Sequence, residues 1–199
     1  MGRVANSRTI AQAETKRQLV ESARELMLTE GYGATSVAAI TQRAGFTTGA
    51  FYSNFDSKAD VALVVLDSLQ SEAREHLAGL VGTSADLAKA VEQIRSWITH
   101  TLDSGWPRLE LEFALANRGD STIVATEGAR NRSAVDNISG VLSKLLPTAV
   151  LDMVPSRRLA DLILDLSFGL AVRKIVDPSV TPDHVLDLVD ELLSAVAPG

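Results

Sequence analysis

The chain has 199 residues, 46% hydrophobic, 22% charged and 5% aromatic, a globular composition that excludes wholesale disorder, collagen-like repeats and low-complexity architecture. It has no cysteine, which excludes a disulfide framework, a thiolate metal site and a cysteine nucleophile. The net charge of −6 is uneven: residues 1–55 carry six cations against four anions, leaving thirteen against twenty-one in the remainder, so a mildly basic head precedes an acidic body.

Sustained alternation of apolar and polar residues is absent, and helical periodicity runs throughout. The first helix carries Leu19, Ala23, Leu26 and Glu30, widened by Val20 and Met27, and stops at Gly31 and Gly33. Thr35 and Ser36 supply capping hydroxyls for a short second helix with Val37, Ile40 and Ala44, stopped by Gly45. A third begins at Thr47 or Thr48 and carries Phe51 and Phe55. Ser57 caps a long fourth helix, and Asp60 three places on completes a capping-box-like pair. Its stripe is Ala62, Val65, Leu66, Leu69 and Ala73. Ser84 opens a helix through Leu87, Val91, Ile94, Trp97, Ile98 and Leu102. Pro107 suits the first turn of a short helix through Leu111, Leu115 and Asn117. A helix over about 121–145 ends before Pro147. Another opens at Pro155-Ser156 with Leu159, Leu162, Ile163, Leu166 and Leu170 inward. The last starts at Thr181-Pro182-Asp183 and carries Val185, Leu188, Val189, Leu192, Leu193 and Val196. The expectation is an all-α protein of about nine helices without internal repeats.

The informative segment is residues 35–58, TSVAAITQRAGFTTGAFYSNFDSK. Two short helices meet at Ala44-Gly45-Phe46, where glycine permits the left-handed backbone of a sharp turn. The second of them opens with Thr47, Thr48, Gly49 and Ala50, small or hydroxylic groups that let a helix N-terminus press into a major groove. A buttressing first helix, a second across the backbone and a third reading bases make helix-turn-helix logic.

These residues resemble the TetR/AcrR family of bacterial transcriptional regulators over about residues 15–69. The likeness rests on the Leu19 to Leu26 spacing, Glu30-Gly31-Tyr32, Thr35-Ser36-Val37, Ile40 through Phe46, Gly49 through Phe55, and Lys58. The resemblance implies that Thr35 and Ser36 meet phosphate at the start of the second helix and that Thr47, Thr48, Gly49 and Ala50 face the groove. It further implies that Tyr52, followed by Ser53, places its hydroxyl on a phosphate or near a base, that Lys58 holds the DNA backbone by charge, and that Arg43 adds a contact near the turn. Residues 1–12, with Arg3 and Arg8, are expected to form a basic arm. Residues 47–53 contain no Arg, Asn or Gln, so bidentate base readout is poor there, and hydroxyls, the Ala50 methyl, water or DNA shape must contribute.

The expected organisation is a DNA-binding domain over residues 1–56 and a helical ligand-binding and dimerisation domain over 57–199. The resemblance assigns the second domain a small-molecule ligand and a homodimer contact. Leu159, Ile163, Leu166, Leu170, Val185, Leu188, Val189 and Leu192 are the interface candidates, two apolar-faced helices per subunit forming a four-helix bundle about a two-fold axis. Trp97, Phe113 and Phe168 are candidates for a ligand cavity's apolar wall, and Thr101 and Asn117 for its polar anchors. That lining points to an apolar or amphipathic ligand. The three histidines, His76, His100 and His184, lack ligand spacing, so no metal is expected. No cofactor motif, nucleophile elbow or phosphate loop occurs, so no enzyme activity is expected. Signal-peptide and membrane-spanning patterns are absent, which leads to the expectation of a cytoplasmic bacterial protein, nucleoid-associated when bound. The reading is a dimeric regulator, by family default a repressor, bound to a palindromic operator on double-stranded DNA and released by its ligand. The alternative is an all-helical ligand-binding or interaction module that has lost DNA binding.

Overall fold

A computed structural model describes residues 2–83 and 87–196, and all regular elements in that range are helices. In order they are α1 (Gly2–Glu30), α2 (Val37–Ala44), α3 (Thr48–Tyr52), α4 (Lys58–Thr83), α5 (Leu87–Asp103), α6 (Trp106–Ala116), α7 (Ser121–Leu145), α8 (Thr148–Met153), α9 (Ser156–Val176) and α10 (Asp183–Val196). The addition to the expected set is α8, a short helix after Pro147 without a side-chain cap. The expected cap Ser84 lies outside the described residues.

Local chemistry explains the boundaries. Ser36 caps α2 by accepting the Ala39 N–H, and Thr47 caps α3 by accepting the Ala50 N–H. Gly45 ends α2 with φ 74°, a left-handed cap that β-carbon sterics disfavour for other residues. Ser57 and Asp60 form a reciprocal capping box at α4: the Ser57 N–H donates to Asp60 Oδ2 at 2.9 Å and the Asp60 N–H to Ser57 Oγ at 3.2 Å.

The basic arm expected over 1–12 is helical from Gly2 onward, continuous with α1. No proline or glycine interrupts the sequence between Gly2 and Gly31. Arg17 and Gln18 both donate to Glu14 one turn earlier, supporting the helix locally. The side chains of Arg3 and Arg8 lie outside the described residues.

Packing divides the chain into two units, Met1–Leu69 with Arg108–Val124, and Gln70–Pro107 with Ala125–Gly199. The amino-terminal unit takes in the first part of α4 and most of α6, segments that a boundary at 56/57 places in the other domain. Its core joins Leu19, Ala23, Leu26 and Met27 of α1 to Ile40 of α2 and Phe51 of α3. Val61, Ala62, Val65 and Leu66 of α4 and Leu109 and Phe113 of α6 complete it. On α6 the buried face is therefore Leu109 and Phe113, and Leu115 is exposed. The reason is tertiary: the Phe113 ring meets Tyr32 edge-on at 5.2 Å, which turns the Leu115 face outward.

The second unit buries Val135, Ala160, Leu170, Ala171 and Leu186. Arg95 of α5 ties to Asp187 of α10 at 3.0 Å, and Lys174 of α9 to Asp103 at the end of α5 at 2.6 Å. Arg130 of α7 is buried beside Glu127 at 2.7 Å. The Arg130 carbonyl accepts from the Gln70 amide at 2.8 Å.

Candidate nucleic-acid interface

The short third helix is held from one side and open on the other. Phe51 is wholly buried and Phe55 nearly so, their rings 5.4 Å apart. Burying a side chain of that size contributes roughly 1.5–3 kcal/mol, enough to anchor a helix too short to persist alone. Thr47, Thr48 and Gly49 are exposed, Ala50 is half-buried, and Tyr52 is 57% exposed with its ring edge against Phe51. A methyl group built on Gly49 would meet only Thr47 Oγ1, at 3.7 Å. Among the described residues nothing requires glycine there, and that face of α3 is clear.

The hydroxyls differ in what they can still do. Ser36 and Thr47 act as acceptors in their caps, so each retains its O–H proton for a phosphate oxygen. Ser53 donates its proton to the Gly49 carbonyl at 2.9 Å. That leaves lone pairs, the wrong polarity for a phosphate, and corrects its expected role. Thr35 is also corrected: it is 1% exposed, and its hydroxyl donates to the Gly31 carbonyl at 2.7 Å. It closes the α1–α2 turn and its side chain cannot reach a partner.

Lys58 has a double character. Its Nζ donates to the Tyr32 carbonyl at 2.8 Å and the Thr35 carbonyl at 3.0 Å and sits 3.9 Å from the centre of the Tyr32 ring. It therefore staples the start of α4 to the α1–α2 turn, with one ammonium proton left for a partner. Burial pulls its pKa below the ordinary lysine value, opposed by the Glu112 carboxylate. Arg43 pairs through Nε with Glu25 of α1 at 2.6 Å, which fixes the guanidinium beside the turn and partly offsets its charge.

Two functional-unit residues carry no sequence signal. From α6, Arg108 donates to the Thr29 carbonyl at 2.8 Å, capping the end of α1. Glu112 accepts the Gly33 N–H at 2.9 Å. Together they clasp the α1–α2 turn from 79 residues away, a separation that no local pattern can reveal. A shallow depression of about 280 Å³ also lies between α1 and the end of α3, lined by Gln12, Ala13, Lys16, Ser53 and Asn54.

The ligand candidates separate. Phe113 is core in the amino-terminal unit, and the Asn117 amide donates to the Phe113 carbonyl. Phe113, the expected wall residue, and Asn117, the expected polar anchor, are thus both engaged in holding α6. Trp97, Thr101 and Phe168 belong to the other unit, where Trp97 stacks on His76 at 5.7 Å. Thr101 and Phe168 are half-buried there.

The dimer candidates also sort by exposure. Leu166 and Leu188 are exposed, Leu159, Ile163 and Val185 half-buried, and Leu170 buried within its own unit. Leu170 is therefore core and unavailable to a partner. Leu162, expected inward, is instead 53% exposed. The side chains of Val189 and Leu192 lie outside the described residues. Among the described residues no helix is long and apolar enough to cross a membrane.

Comparison with known proteins places this geometry. Residues 19–65 match the model for bacterial regulatory proteins of the tetR family. The chain is 40% identical over 65 residues to the HTH-type transcriptional regulator TtgR of Pseudomonas putida, a match covering 33% of this chain and 30% of TtgR. Among solved structures, a TetR-family transcriptional regulator from Agrobacterium tumefaciens superposes with TM-score 0.69 at 19% identity, covering 94% of this chain and 100% of that one. A SmeT–triclosan complex superposes with TM-score 0.59 at 19% identity, covering 83% and 82%. The structural likeness shows that the two-unit helical fold is shared, and the sequence match falls on the helix-turn-helix segment with its buried Phe51 and exposed α3 face. The chain thus carries a helix-turn-helix segment of the tetR-family type over residues 19–65, within a fold it shares with TetR-family structures.

Proposed function

We propose that the protein is a dimeric transcriptional regulator that binds a palindromic DNA operator through α3, represses from it, and is released by a small molecule. The observation that carries this reading is the two-faced third helix: Phe51 and Phe55 lock one side while Thr47, Thr48, Gly49 and Tyr52 stand open on the other. An exposed tyrosine and a glycine with no internal reason to be glycine serve a docking surface, not a core. Ser36 and Thr47 offer hydroxyl protons to phosphate oxygens, and Arg43 and the remaining Lys58 proton add charge. Base reading falls to Thr48, Ala50 and Tyr52, assisted by water and DNA shape.

Homodimerisation follows from the same physics. Leu162, Leu166, Val172 and Val176 of α9 are exposed, as is Leu188 of α10. Leu162 and Leu166 lie four apart, on one face of α9. A second copy covers such a stripe by two-fold symmetry, and pairing places two third helices on symmetric half-sites. The ligand is apolar or amphipathic. SmeT has been captured with triclosan, and Trp97 and Phe168 supply apolar surface here. To move the protein from mostly binding to mostly released, the ligand must favour the released state by about 5 kcal/mol.

The test is retardation of the duplex upstream of the gene encoding this chain, measured across a salt series. Phosphate-dominated binding predicts an affinity that falls steeply with salt despite the acidic net charge. An affinity indistinguishable from zero at low salt, with the dimer intact, refutes the DNA-binding reading and favours the ligand-module alternative.

A further inference from the structure

The depression between α1 and the end of α3 has the chemistry of an anion seat. Lys16 supplies a cation and Gln12 an amide, while Ser53 and Asn54, whose side chains donate to the Gly49 and Ala50 carbonyls, wall it from α3 and its exit. Among the described residues no carboxylate lines it. The nearest acid along α1, Glu14, is turned to Arg17 and Gln18 and held at about 2 by their hydrogen bonds. Lys16 is also positioned: its Nζ stands 5.3 Å from the centre of the Phe55 ring, the side chain that anchors the end of α3. The ammonium thus stays near the third helix while remaining exposed to solvent.

The location says which anion. A major groove about 12 Å wide that receives a helix 10–12 Å across has its phosphate ridges against whatever flanks that helix. The α1 face bearing Gln12 and Lys16 is such a flank. We propose that this depression seats a DNA backbone phosphate outside the base-reading surface, with Lys16 as its charge and Gln12 as a second donor. The helical extension of α1 before Leu19 thereby widens the DNA footprint. The inference rests on the DNA-binding reading above and adds a contact that the helix-turn-helix segment itself does not contain.

The experiment measures affinity against salt for the wild-type protein and for K16Q, K16R, Q12K and the remote control K144Q. The probes are the upstream duplex and a mixed-sequence duplex of equal length. K16Q is expected to weaken binding about 3- to 10-fold on both duplexes and to flatten the log–log salt slope by about 0.9, the signature of one lost phosphate. K16R keeps the slope. Q12K steepens it by about the same amount and tightens binding, a gain that misfolding cannot produce. K144Q tracks the wild type. If the wild type binds neither duplex, the parent reading fails. If it binds and both K16Q and Q12K leave slope and affinity unchanged, the phosphate seat alone is refuted. An effect of K16Q confined to the upstream duplex makes Lys16 a base reader and overturns the proposal equally.

Discussion

Replacing Gly31 by alanine tests the clasp between α6 and the α1–α2 turn. Gly31 has φ +92°, and a β-carbon there would lie 2.6 Å from Glu112 Oε2. The backbone penalty of a left-handed alanine is about 1–2 kcal/mol. The steric conflict is with the tip of a flexible side chain, so Glu112 swings away rather than the backbone breaking. Swinging away forfeits the 2.9 Å bond from the Gly33 N–H. With the Glu112 side chain about one-third exposed, 35%, that bond is worth about 1 kcal/mol, below the range for fully buried charged partners. The expected total is about 2–3 kcal/mol, which lowers the first melting transition by roughly 4–12 °C for a chain of this size. The double variant G31A/E112A separates the two parts: without the carboxylate, alanine at 31 costs only its backbone strain, so the cycle shows a coupling of about 1 kcal/mol. A G31A protein within about 0.5 kcal/mol of wild type, or an equal cost in both backgrounds, refutes the reasoning.

Other outcomes follow from the same geometry. Phe51→Ala removes a wholly buried ring and is expected to cost about 3–5 kcal/mol by denaturant titration. Tyr52→Ala, at an exposed position, should leave stability within about 0.5 kcal/mol while weakening retardation of the upstream duplex. Thr47→Ala deletes the α3 cap and is expected to cost about 1 kcal/mol in melting experiments. Leu166→Asp places a charge on the exposed α9 stripe, and sedimentation should report a monomer; an unchanged dimer would move the interface elsewhere. The Glu14 carboxyl is held at about 2 by Arg17, then Gln18. Its depressed value means that its contribution to α1 is complete above the ordinary carboxylate range and is lost as pH falls toward 2. Glu14→Gln should remove that part of the acid-induced change in far-ultraviolet circular dichroism.

The amino-acid sequence by itself determined what short-range forces control. Ser36, Thr47 and the Ser57–Asp60 pair cap their helices as their types and spacing require, because a capping hydroxyl and its N–H target lie within one turn. Gly45 ends α2, and the stripe from Leu19 to Met27 lies in the core. The motif around Phe51, Tyr52 and Phe55 was legible because its spacing alone puts two rings inward and one outward. The tertiary structure decided whatever depends on residues brought together from afar. It turned Thr35 inward, gave Lys58 to the carbonyls of Tyr32 and Thr35, and took Phe113 into the amino-terminal core against Tyr32. It set Arg108 and Glu112 on the α1–α2 turn and Lys16 over Phe55. Periodicity says that a helix has an apolar side, but several neighbours can cover that side. Leu162 open to solvent and Leu170 buried, on one helix, were therefore settled only by what packs against each.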